Sequence, residues 1–122
     1  MTVQELYEKI GGNFDAAKKI LPSEALIGRF VVKLLKDGSM QKLRDGVAAG
    51  DGKAIFEGAH ALKGVTANLG LQNISGLAAE IADEFRTGRE RSLSDEELQA
   101  KLDELNAKFD AASEEIAKFQ AQ

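Results

Sequence analysis

No cysteine occurs among the 122 residues, which excludes a disulfide scaffold, an iron–sulfur centre and a thiol nucleophile together. A single histidine, His60, rules out multi-histidine zinc sites, and any Ser-His-Asp triad would have to be built on it. Proline occurs once, at Pro22, and tryptophan is missing. No run approaches the roughly 20 consecutive apolar residues of a membrane span, so no membrane partner is expected. Residues 1–5 lack the basic and apolar regions of a secretory signal; with the missing cysteines, the expected location is cytoplasmic. A formal net charge of -4 argues against nucleic acid as a partner.

What is present suits one globular domain over 1–122, with 43% hydrophobic and 30% charged residues. Charge is spread unevenly: residues 1–50 carry a net +2 and residues 94–122 a net -5, while 51–70 are neutral. Glycines punctuate amphipathic segments at Gly11-Gly12, Gly38, Gly50, Gly70 and Gly88, where helices are expected to end. Short helices are read near 2–10 and 13–20, and Ser23 caps a longer one to about residue 36. Further helices start at Ser39 and Asp51, another runs from Leu71 to about 87, and Ser94–Glu97 forms a capping box. Leu98, Leu102, Leu105, Phe109, Ala112, Ile116 and Phe119 then trace a sustained packing seam. The pattern predicts an all-α, up-and-down antiparallel four-helix bundle over 23–120, with additional short helices in 1–22, and a monomer.

The helix from Asp51 carries the candidate chemistry. With successive residues about 100° apart, Ile55, Gly58, Leu62, Thr66 and Leu69 share the side that must face the bundle. His60 falls on the opposite side, with Lys53, Phe56, Glu57, Lys63, Gly64 and Ala67. Lys63 and Gly64 follow one turn after His60 and lie beside it. A helix-interior glycine costs about 1 kcal/mol relative to alanine, and clearance for a molecule approaching His60 gives Gly64 a purpose. Neutral imidazole is a competent nucleophile near neutral pH. Phosphoryl transfer asks an acceptor chiefly for in-line positioning and neutralisation of the equatorial oxygens, which Lys63 could supply. Phe56 is either partly covered by the N-terminal helices or part of a docking patch. His60 with Glu57 offers too few ligands to hold a divalent ion, so no metal site is expected.

The run Ala59-His60-Ala61-Leu62-Lys63-Gly64, continued by Val65-Thr-Ala-Asn68-Leu69-Gly70, resembles the signature of histidine-containing phosphotransfer (HPt) domains of multistep phosphorelays. The resemblance covers residues 50 to about 88 and includes the helix that begins near Ile74. It implies a phosphocarrier without kinase or ATPase activity that accepts a phosphoryl group on Nε2 of His60. It implies that Lys63 stabilises this group, while Gly64 clears the way for a docking surface with Phe56, Ala67 and Lys53. Partners would be response-regulator receiver domains and a hybrid histidine kinase. No cofactor belongs to the chain itself, because Mg2+ would enter with the receiver's aspartate site. The chain departs from the family at one position. Some members carry on the next helix a glutamine that bonds the second ring nitrogen; Ala82 stands there and cannot. Glu80, Asp83 and Glu84 lie at about the right height to replace it. Two other functions fit the residues: a helical adaptor used without phosphorylation, and the detached phospho-accepting domain of a chemotaxis-type kinase.

Overall fold

Seven α-helices and one 3-10 turn carry the fold in the computed structural model, which describes residues 1–122. They are α1 (Val3–Ile10), α2 (Phe14–Ile20), α3 (Glu24–Lys33) with a 3-10 turn (Leu34–Lys36), α4 (Ser39–Ala49), α5 (Gly52–Asn68), α6 (Gln72–Glu84) and α7 (Asp95–Gln120). Most helix starts are set by side chains. Thr2 with Glu5, and Ser94 with Glu97, close reciprocal capping boxes on α1 and α7. Asn13, Ser23 and Asp51 accept hydrogen bonds from the amides of Ala16, Leu26 and Ala54, and so cap α2, α3 and α5. At α4 the device differs: Ser39 is already helical, and Asp37 accepts from its amide at 3.0 Å.

Two expected helix ends move. The segment opened by Ser23 keeps α-geometry only to Lys33 and tightens into the 3-10 turn. The helix expected to reach 87 stops at Glu84, whose side chain turns to the connection that follows. Its carboxylate accepts from Ser92 N (2.9 Å), Ser92 Oγ (2.6 Å) and Leu93 N (3.1 Å). Those bonds draw residues 86–93 back against the helix end and leave Glu84 only 4% exposed.

The four longest helices form the bundle. α4 packs on α5, α5 on α6, and α6 on α7, the first two contacts being the most extensive of the fold. Arg44 of α4 closes the ring by donating to Asn106 (2.7 Å) and Asp110 (2.8 Å) of α7. The core runs through Leu43, Ile55, Leu62, Ile74, Ile81, Leu105 and Ile116, all buried. α5 approaches α4 so closely that side chains are excluded on both. A Cβ at Gly58 would sit 2.6 Å from Leu43 N, and one at Gly46 would sit 2.8 Å from Ile55 N.

α1 and α3 pack on α7 and on each other. The N-terminal helices also grip the turn that ends α5. Tyr7 Oη donates to Leu69 O (2.6 Å), Asn73 Nδ2 to Ile10 O (3.0 Å), and Asn13 N to Gly70 O (2.8 Å). Gly70 has φ +71°, and a Cβ there would overlap Asn13 O. Asn68 is exposed and its side chain makes no hydrogen bond there, while Asn73 bonds the end of α1.

Candidate functional site

The site lies midway along the outer face of α5. Asp51 caps the helix, the glycine contacts with α4 fix one flank, and the gripped turn at Leu69–Leu71 fixes the far end. Ile55, Gly58, Ala59, Leu62 and Thr66 are buried on the inner side. That leaves His60 exposed on the outer side, with Lys53, Ala61, Gly64 and Ala67 exposed around it. Lys63 is half-buried one turn after the histidine. A Cβ built at Gly64 meets nothing within 4 Å, in sharp contrast to Gly58 two turns earlier on the inner side. The glycine beside His60 therefore has no packing role; it leaves open surface.

Phe56 rests half-buried against the core and stacks on the His60 imidazole, ring centroids 5.4 Å apart and planes 14° from parallel. The i, i+4 spacing of Phe56 and His60 is what the sequence shows of this contact. The carboxylate nearest in sequence, Glu57, is engaged across the α4–α5 seam by Lys42 Nζ at 2.6 Å. That hydrogen bond and the lysine charge hold its pKa below the ordinary carboxylate range.

The three α6 carboxylates proposed as imidazole partners part company. Glu80 reaches the other way and pairs with Lys101 of α7. Glu84 is consumed by the 86–93 connection; bonding by Ser92 and Leu93 holds its pKa down, with Arg89 adding a positive field. The hydrogen bonds of both therefore run to groups other than the imidazole. Asp83 alone stays on the α5 side. It accepts from Arg86 at 2.6 Å, and that bond, with the charges of Arg86, Arg89 and Lys63, lowers its pKa. No protein group hydrogen-bonds either imidazole nitrogen among the side-chain bonds of the structure, and Ala82 is buried at 3% exposure. Toward the C-terminal end of α5, Val65 and Asn68 border a cleft of about 360 Å³ also walled by Ile20, Phe30 and Lys33.

Nowhere in the chain do three or more His, Cys, Asp or Glu side chains converge as metal ligands. No helix is long and apolar enough to cross a membrane. An exposed imidazole in mid-helix, a lysine one turn on and cleared backbone beside both can accept a group from a large partner that approaches along the helix. Comparison with known proteins agrees on the family. A family model described as Hpt domain matches residues 29–115, from within α3 to within the last turns of α7. No curated protein and no solved structure matches the chain. The chain therefore belongs to the Hpt domain family, whose members serve phosphorelays by histidine phosphotransfer.

Proposed function

We propose that His60 is the residue that carries the phosphoryl group, passing it between aspartates of response-regulator receiver domains, with a hybrid histidine kinase as the alternative donor. The observation that carries this reading is the exposure of the only histidine beside Lys63 and an unfilled Gly64. In the forward step the Nε2 lone pair attacks phosphorus in line, and a new N–P bond forms. The P–O bond to the aspartyl carboxyl breaks, its electron pair leaving with the carboxylate. The proton on Nδ1 stays, so the phosphorylated ring carries a formal positive charge, and charge balances across the step. Reversal of the same step discharges the group to the next receiver.

Lys63 is assigned to the equatorial oxygens, where an ammonium offsets charge without itself reacting. Gly64 and Ala67 leave the path for the receiver, and Lys53 and Phe56 border it. The cleft at Val65 and Asn68, with Ile20 52% and Phe30 39% exposed, offers a partner apolar surface near the end of the same helix. Mg2+ enters with the receiver, and the chain itself needs no cofactor and no ATP. We assign the protein to the cytoplasm as a monomer on the same reading. The test is incubation with a phosphorylated receiver domain. Wild type should gain an acid-labile, base-stable label that His60→Gln lacks; equal labelling of both, or none on wild type, would end the proposal.

A further inference from the structure

We propose that Phe56 is a positioning residue for the His60 imidazole, fixing the plane of the ring by stacking where no acceptor fixes it by hydrogen bonding; this rests on the reading of His60 given above. An exposed histidine on a helix can turn its ring about two side-chain bonds, and in-line attack tolerates little misorientation. In the usual solution a carboxylate or carbonyl holds the second nitrogen. Here the nearby carboxylates are committed: Glu57 to Lys42, Glu80 to Lys101, Asp83 to Arg86, and Glu84 to Ser92 and Leu93. What touches the ring is Phe56, one turn earlier, nearly parallel at 14° and 5.4 Å between centroids. Those two values describe an offset stack, the arrangement aromatic pairs prefer. Phe56 can serve as a fixed surface because its other side rests on the core.

The stack also bears on the two states of the ring unequally. The imidazole that accepts is neutral, whereas the phosphorylated ring with its retained Nδ1 proton carries positive charge. An aromatic face attracts a cation more strongly than a neutral ring. Phe56 therefore favours the charged product and the transition state that leads to it, in addition to setting the plane.

Leucine at this position fills similar space and keeps the contact with the core, but it offers no flat face; tyrosine keeps the face. Transfer from a receiver domain charged with acetyl phosphate and Mg2+ should be followed as a function of receiver concentration. For Phe56→Leu the maximal rate should fall between about two-fold and ten-fold, by more than any change in the half-saturating receiver concentration, and Phe56→Tyr should recover most of the loss. An unchanged maximal rate overturns the proposal. So does a defect confined to the half-saturating concentration, which would make Phe56 a docking residue only, or a tyrosine variant as slow as leucine. Should Phe56→Leu not fold, the wild-type protein decides by NMR. Ring-current displacement of the His60 Hδ2 and Hε1 resonances is expected, and undisplaced resonances would overturn the stack. Wild-type labelling by phosphoramidate, a donor with no docking surface, separates the two claims. Failure there removes the function of His60, whereas normal labelling with unaltered Phe56→Leu kinetics removes only the role of Phe56.

Discussion

At the scale of single residues, the proposed function divides the outer face of α5 into groups meant for the phosphoryl oxygens and groups that leave room. Lys63 makes no ion pair among the salt bridges of the structure, so its charge is available. Lys63→Ala should slow transfer by about 10- to 100-fold, the range expected for one charge-assisted hydrogen bond in the transition state. Thermal denaturation should hardly move, since surface substitutions usually stay within about 0.5 kcal/mol. Gly64 gives the opposite pairing of effects. With nothing within 4 Å of its Cβ position, Gly64→Ala should stabilise the fold by about 1 kcal/mol through helix propensity. Gly64→Gln should weaken receiver binding in a titration while leaving the helix content of the circular dichroism spectrum intact. Which residues face outward was legible from the 3.6-residue period of α5 alone, because a helix fixed by its buried stripe fixes its other side as well. The stacking of Phe56 and the fates of Glu80 and Glu84 were not. Each depends on where a second segment lies: α7 for Glu80, and the 86–93 connection for Glu84.

At the scale of elements, α4 and α5 behave as one unit. Gly58→Ala would drive a methyl group into the backbone of α4 at Leu43, where no flexible side chain can yield. Overpacking of this kind costs about 1–3 kcal/mol or more, so guanidinium unfolding should show a clear loss of stability, in contrast to the gain at Gly64. Two glycines of one helix thus respond with opposite sign, and the pair of measurements checks the face assignment without any partner protein. Element starts were largely readable because Thr2, Asn13, Ser23, Asp51 and Ser94 cap by local bonds that sequence spacing encodes. The end of α6 was less so: the sequence continues in helical register past Glu84, and the helix stops because that carboxylate binds amides eight and nine residues on.

At the scale of the whole molecule, the N-terminal helices and the turn after α5 are tied by Tyr7, whose hydroxyl is buried and donates to Leu69 O. Burial pushes its pKa up from 10.0 to about 12. The folded state therefore holds this proton more tightly than the unfolded chain does. Its contribution is complete below the unfolded value of 10.0 and is lost as pH rises through about 12. Tyr7→Phe should cost about 1–3 kcal/mol at neutral pH by leaving the Leu69 carbonyl unpaired. The variant should also lose the alkaline decline attributable to Tyr7, read as the difference between the two proteins' stability curves. No local pattern in the sequence announces a bond between residues so far apart.

The near-contact of the α4 and α5 backbones at Gly46 and Gly58 bears on how a signal leaves the domain. Two helices interlocked at that distance cannot slide by a turn without first separating, and the hold at Leu69–Leu71 blocks rotation at the other end. If His60 carries the phosphoryl group as proposed, this interlocked cradle should keep one backbone shape loaded and empty, and a partner would tell the two states apart by the added charge.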